Sequence, residues 1–392
     1  MCGQIDAARR YSAAEMLERL VSFDTTSRNS NIALINFVRA YLDAYTVPYR
    51  ISSDETGQKA NIHAIIGPQA SGGVALSGHV DTVPVDGQAW TADPFVLREK
   101  NGRLFARGAA DMKGFVASAL AAVPDLQARG LSRPMHLFIS YDEETTCNGA
   151  RRLIQDIAES GWRPAFCVVG EPTGMAPVLA HKGRMTLRVR VRGLTGHSSE
   201  PAKGVNAIHA AAEAVTWVAA EARRFASEGP FEPGFEPPHT TIHVGTIHGG
   251  TVLNIIPEHA EFVMEWRTIP ADNFFHEIDR MKAFVAESIE PQMKRVHPDT
   301  GFSFEVATWI PGMSLDAGHE LTSLIKQLTG SNSTAKVSYG TEGGLYQEAG
   351  IPTIICGPGY IEQAHKPDEW IEQSQLDACD AFVRRLAERL LA

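Results

Sequence analysis

The chain has 392 residues, 44% hydrophobic and 21% charged, and its 36 lysines and arginines against 46 aspartates and glutamates leave a net charge of −10. Length and composition fit a globular protein of two to three domains of about 150 residues each, and the acid surplus argues against a nucleic-acid surface or a polybasic membrane patch. No apolar run approaches the ~20 residues that span a bilayer, the basic start with Arg9 and Arg10 lacks a signal-peptide h-region, and the scattered cysteines (Cys2, Cys147, Cys167, Cys356, Cys379) form no C-x-x-C pair, so reduced thiols in a cytoplasmic protein are expected.

In chain order, Asn61–Gly67 and Val74–Ser77 are short apolar runs bounded by glycine, and each reads as a buried strand. Asp111–Gly130 carries helical periodicity through Phe115, Leu120, Val123 and Leu126 and stops at a glycine. A strand over Met135–Tyr141, a helix over Ala150–Glu159 and a strand over Ala165–Val169 follow. This alternation predicts an α/β sheet covered by helices, whose strand C-termini are the natural place for a site.

After about residue 182 the pattern changes. Met185–Arg192 alternates apolar and basic residues, as a half-exposed antiparallel strand does. A long helix (Val205–Phe225), a Pro/Gly-rich loop (Glu228–His239), strands at Thr241–Ile247 and Glu261–Arg267, a helix near Asp272–Glu290 and a strand near Phe302–Ala307 complete a ferredoxin-like α+β order. The α/β pattern then resumes with a helix at Glu320–Leu328, strands at Ala335–Ser338 and Thr353–Cys356, and a closing helix over Gln375–Leu391. The simplest account is one domain, residues 1–182 and 311–392, with a second inserted at 183–310.

Acids and histidines gather at the ends of the predicted strands. His79 and Asp81 follow the second strand, two apart, as a metal ligand and the carboxylate that orients it would be. Asp111 enters a helix, where a plain N-cap is the competing explanation. Asp142-Glu143-Glu144 ends the third strand, where adjacent carboxylates repel one another unless cations compensate. Glu171 ends the fourth strand, and His365 follows the glycine-rich Gly357-Pro358-Gly359. Each is unremarkable alone, but together they make an oxygen and nitrogen set suited to zinc. Five ligands exceed one tetrahedral site and suit two metals, roughly 3.5–4 Å apart, sharing a carboxylate. Two divalent cations and one hydroxide would balance Asp111, Glu144 and Glu171, leaving Glu143 over as general base. No G-x-S-x-G elbow, P-loop or dinucleotide fingerprint competes. His239, His243, His248 and His259, spread over the inserted domain, read as surface histidines.

The segments SGHVDTVP (77–84), ARGAADMKG (106–114), DEE (142–144), GEPT (170–173), GLTGHSSEP (193–201) and GPGYIEQAHKPDEWI (357–371) resemble, in family order, the di-zinc amidohydrolases that include acetylornithine deacetylase, succinyl-diaminopimelate desuccinylase and glutamate carboxypeptidase. The resemblance implies a mixed-sheet, aminopeptidase-like catalytic domain with an inserted ferredoxin-like lid that also dimerises. It implies two Zn²⁺, with Co²⁺ able to substitute. His79 and Glu171 would bind one ion, Glu144 and His365 the other, and Asp111 would bridge. Asp81 would orient His79, Glu143 would be the general base, and the Asp111–Met112 peptide is a candidate for the cis geometry. His197 would steady the oxyanion, reaching into the active site of a partner subunit, which makes a homodimer the expected state.

Within the family, Tyr339-Gly340-Thr341-Glu342-Gly343-Gly344 and the QAHKPDEW ending resemble acetylornithine deacetylases more than desuccinylases, although Gly343-Gly344 departs from the Ala-Pro often found there. The implied reaction is hydrolysis of Nα-acetyl-L-ornithine to L-ornithine and acetate in arginine biosynthesis. A desuccinylase, a dipeptidase, another N-acyl amino acid hydrolase and a non-catalytic binding relative are the alternatives. Asn254 and Arg267 match lid positions near the substrate and are expected at its carboxylate, which a guanidinium grips through paired hydrogen bonds. Glu342 is expected at the substrate ammonium, or else as a support for its loop.

Overall fold

Glycine-bounded apolar runs become the strands of a large mixed sheet. The structure, a computed structural model, describes residues 9–391; Cys2 lies outside them. Six strands, β1 (Tyr49–Ser53), β2 (Ala60–Ile66), β3 (Val74–His79), β4 (Met135–Ser140), β5 (Phe166–Pro172) and β6 (Thr353–Gly357), lie in the order β1-β2-β4-β3-β5-β6. The sheet continues through Val178–His181 and Met313–Ser314. β3 runs parallel to β4 and β5, and β5 parallel to β6, whereas β1 and β2 are antiparallel at the edge. The inner strands are buried along almost their whole length, which is why their sequences are near-continuous apolar runs. Helix Gly114–Ala121 joins one core with helices Ala13–Val21 and Gln373–Leu390 through Phe115, Leu120, Leu17, Leu20, Phe382 and Leu386.

The helix expected over Asp111–Gly130 is broken twice. Residues Ala109–Lys113 form a wide turn in which Asp111 (φ −124°, ψ 93°) leaves helical space, so the true helix starts at Gly114. A second helix, Val123–Arg129, restarts at Pro124, which has no N–H to continue the preceding ladder. Sequence reasoning passed over the helix Ala13–Val21, although Ser12 and Glu15 form the capping box that announces it.

The chain divides into two compact units. The first contains the residues up to Ala180, Met313–Ala335 and Thr341 onward; the second contains His181–Gly312 and Lys336–Gly340. The strand expected at Ala335–Ser338 forms over Ala335–Val337 and pairs with Val178–His181 of the large sheet, while Lys336–Gly340 cluster with the second unit. There Lys336 Nζ pairs with Glu232 Oε1 at 2.7 Å, and Ser338 Oγ donates to the Glu236 carbonyl at 2.6 Å.

The second unit is a four-stranded antiparallel sheet in the order Thr241–Gly249, His259–Thr268, Gly183–Arg192, Gly301–Ile310, with helices Ala207–Glu228 and Phe274–Phe284 in its core. Alternation in Gly183–Arg192 buries Met185, Leu187, Val189 and Val191 with Ala210, Ala214 and Val218 of the long helix. The helix expected to end near Glu290 runs on through a wide turn at Val285–Ile289 into Glu290–Val296, the register change falling just before Pro291.

Candidate metal centre

Three adjacent parallel strands deliver most of the acids and a histidine to one end of the sheet. His79 is the last residue of β3, Glu143 and Glu144 follow β4, and Glu171 lies near the end of β5. Asp111 comes from the wide turn before helix Gly114–Ala121, and His365 from the loop after β6. Two glycines allow that helix to approach: a Cβ on Gly78 would lie 2.8 Å from Val116, and one on Gly170 would lie 2.0 Å from the Phe115 ring.

The distances make one cluster. His79 Nε2 stands 3.2 Å from Asp111 Oδ1, 3.8 Å from Glu171 Oε1 and 3.9 Å from Glu143 Oε2. His365 Nε2 stands 3.1 Å from Asp111 Oδ2 and 3.1 Å from Glu144 Oε2, so Asp111 faces one histidine with each oxygen. Donor atoms of His79, Glu143 and Glu171 lie within 4.8 Å of one another, as do those of His79, Asp111 and Glu144. The Asp111–Met112 peptide is cis.

The electrostatics call for cations. Burial, then repulsion from Asp111 and Glu143, raise the Glu171 carboxyl well above its ordinary range; burial and Asp111 push Glu144 up to about 7. Bonds to Asp111 and Glu144 lift His365 to about 10. Burial alone would depress His79, yet Asp111 and Asp81 carry it well above its usual value. Glu171 Oε1 is buried with no hydrogen-bond partner. An imidazole edge facing three carboxylates, beside an orphaned buried oxygen, fits a divalent-cation pair with His and carboxylate ligands. His79 Nδ1 donates to the Asp81 carbonyl at 2.9 Å, which leaves Nε2 as the nitrogen that could take a metal ion.

Asp81 does more than orient His79. Its carboxylate reaches His79 Nδ1 only at 3.5 Å, because it is engaged elsewhere. Oδ1 accepts from the Glu143 N–H at 3.0 Å, and Oδ2 accepts from the Glu144 N–H at 3.3 Å and the Ser27 hydroxyl at 2.7 Å. Asp81 therefore fixes the turn that carries both glutamates. Ser27, 54 residues upstream, went unnoticed in the sequence because nothing local marks it.

Glu342 is not at a surface that a substrate ammonium could reach. It is fully buried, and its two oxygens accept from the Ser77 and Ser140 hydroxyls, each at 2.6 Å. Those serines precede His79 on β3 and the acidic turn on β4, so the carboxylate ties together the roots of two segments that bear candidate ligands.

His197, Asn254 and Arg267 belong to the second unit. His197 is exposed; its Nδ1 accepts from the Ser199 N–H at 3.1 Å, which puts its proton on Nε2. The Ser198 N–H donates to the Asn254 carbonyl at 3.2 Å, so His197 and Asn254 are neighbours. Arg267 is elsewhere. It pairs in register with Arg184, whereas His259, beyond which Asn254 lies, pairs with Arg192. Eight residues of strand separate those ends by roughly 26 Å. One chain therefore does not place Arg267 and Asn254 on the same carboxylate, and Arg267 instead grips Glu265 at 2.8 and 3.2 Å.

Residues 75–389 match the family model described as peptidase family M20/M25/M40. Acetylornithine deacetylase of Yersinia pestis is 36% identical over 383 residues, covering 96% of each chain. That of Photorhabdus laumondii is 36% identical over 366 residues, 93% of this chain and 92% of its own. Among solved structures, aminopeptidase PepT of Bacillus cereus superposes with a TM-score of 0.73 at 21% identity over the whole of both chains. Bacillus subtilis YXEP, described as a dinuclear metal-binding peptidase, superposes with a TM-score of 0.68 at 18% identity over 97% of each. With its acids and histidines gathered at the strand ends, the chain belongs to peptidase family M20/M25/M40.

Proposed function

We propose that this chain is a di-zinc amide hydrolase that removes the acetyl group from Nα-acetyl-L-ornithine, a step of arginine biosynthesis in the cytoplasm. The observation that carries the reaction class is the Asp111 carboxylate facing His79 with one oxygen and His365 with the other, with Glu143, Glu144 and Glu171 around them. The substrate rests on identity to acetylornithine deacetylases along almost the whole chain. The cytoplasmic setting is supported by Cys167, Cys356 and Cys379, which are buried as thiols; no helix among the described residues is long and apolar enough to cross a membrane.

His79, Asp111 and Glu171 would hold one ion, and Asp111, Glu144 and His365 the other. When bound, such a pair supplies a water of lowered pKa and polarises the scissile carbonyl. Glu143, held by Asp81 through its N–H, takes the proton of the attacking water and hands it to the departing amine. The Nε2–H of His197 donates to the oxyanion, and Asn254 and Arg267 bind the substrate carboxylate. Because the second unit places Arg267 far from His197 and Asn254, a homodimer resolves the geometry: Arg267 comes from one copy, His197 and Asn254 from the other. The open outer edge of strand Thr241–Gly249 and the exposed Ile247, Val252, Leu253 and Ile255 support that association.

The test is amine release by zinc-reconstituted protein from Nα-acetyl-L-ornithine, N-succinyl-diaminopimelate, acetylcitrulline and dipeptides. The highest kcat/KM on Nα-acetyl-L-ornithine is expected. A preference for dipeptides overturns the substrate, and reconstituted protein without zinc overturns the reaction class.

A further inference from the structure

Two segments distant in sequence, carrying Asp111 and His365, must meet for Asp111 to serve both histidines, and a buried polar assembly stands between them. Glu369 and Arg107 are each 1% exposed and pair at 2.6 Å between Oε2 and Nη1. The other oxygen, Oε1, accepts from the backbone N–H groups of Ala110 at 2.9 Å and Asp111 at 3.2 Å. Arg107 Nη2 donates to Gln88 Oε1 at 2.6 Å, and Gln88 Nε2 donates to the His365 carbonyl at 3.2 Å. The Trp90 indole lies against the same guanidinium, 5.1 Å from centroid to Cζ, and donates to Gln88 Oε1 at 3.0 Å.

Stability alone is a weak reason for this arrangement. A buried ion pair rarely outperforms apolar packing of the same volume. Glu369 also adds a carboxylate beside Asp111, and burial and that neighbour raise its carboxyl above the ordinary range. Meanwhile His365 is half exposed and needs holding from its backbone. It sits at φ 60° and Asp368 at φ 55°, left-handed values that non-glycine residues adopt only when their surroundings impose them. Asp368 is in turn held through Oδ1 by Thr91 and Arg98.

We infer that Glu369, Arg107 and Gln88 are positioning residues that clamp the Asp111 turn to the His365 loop, so that the bridging carboxylate and the exposed histidine share one ion. None of the three is a ligand; Glu369 fixes Asp111 through its N–H, and Gln88 fixes His365 through its carbonyl. The inference rests on the metal-centre reading above.

The test is a zinc competition titration against a chromophoric chelator on wild type, Glu369→Ala, Glu369→Gln and Gln88→Ala, with melting curves of each metal-stripped protein. Wild type should bind two ions. Glu369→Ala should lose 10–100-fold in zinc affinity, as loss of a ligand-orienting partner does, and Glu369→Gln, which keeps an acceptor for both N–H groups, should lose about tenfold less. Gln88→Ala, at a half-buried position, should weaken the His365 ion alone while the metal-stripped protein melts at the wild-type temperature. A folded Glu369→Ala that holds both ions within about threefold of wild type overturns the clamp. If Glu369→Ala does not fold, unchanged affinity in Gln88→Ala overturns it. A folded wild type that binds no zinc instead overturns the metal-centre reading beneath it.

Discussion

Replacing Glu342 separates a support under the active site from a substrate contact. Its carboxylate accepts two 2.6 Å hydrogen bonds, from Ser77 and Ser140, and the residue has no exposed surface. Hydrogen bonds to a charged group contribute about 1.5–3 kcal/mol each, and a buried hydroxyl left without its partner costs about 1–3 kcal/mol. Ser77 keeps the Tyr346 hydroxyl at 2.9 Å, so its share falls at the low end. Removing a buried carboxylate also relieves its desolvation, since burial already pushes this carboxyl up. Glu342→Ala should therefore destabilise the metal-stripped protein by about 2–4 kcal/mol, and Glu342→Gln, which keeps one acceptor, by about half that. Urea unfolding supplies the stability, and steady-state kinetics with Nα-acetyl-L-ornithine at saturating zinc supply KM, which should stay at the wild-type value. An unmoved urea midpoint with KM raised about tenfold, a ~1.4 kcal/mol loss of binding, would refute the reasoning and return Glu342 to the substrate ammonium.

Glu143→Gln should lower kcat by about 10²–10⁴ with zinc content and KM unchanged, checked by kinetics beside metal analysis. Gly170→Ala drives a Cβ to within 2.0 Å of Phe115, so it should cost about 1–3 kcal/mol and weaken zinc binding through Glu171; Phe115→Leu in the same chain should restore part of both. Burial holds His136 down to about 4 from 6.5. The unfolded chain therefore takes up a proton there below about pH 6.5 and the folded chain not until about pH 4, so stability falls as pH drops through that window. The contribution is about 3 kcal/mol, and His136→Gln should flatten the decline in melting temperature between those pH values.

Most of the candidate ligands could be read from the sequence because they lie in short motifs at strand ends, where the neighbouring apolar run identifies the position. His79 after Val74–Ser77, the acids after Met135–Tyr141 and Glu171 after Ala165–Val169 need only local pattern and the rule that parallel sheets gather loops at one edge. The ferredoxin-like order of the inserted unit was legible for the same reason, since alternation and helical periodicity are short-range signals. Helix interruptions at Asp111 and Pro124 were missed because the apolar period runs on through both.

Partners that hold the ligands were beyond sequence reasoning. Glu342 meets Ser77 across 265 residues, Glu369 meets Asp111 across 258, and Ser27 meets Asp81 across 54, with no local pattern at either end. The placement of Arg267 and Asn254 at opposite ends of one sheet likewise follows from strand register, a property of pairing between distant segments. Local period thus determined the strands, and the motifs the family and the set of candidate ligands. Tertiary structure alone decided which carboxylate faces the metal centre and which is buried beneath it, because that depends on long-range packing and desolvation.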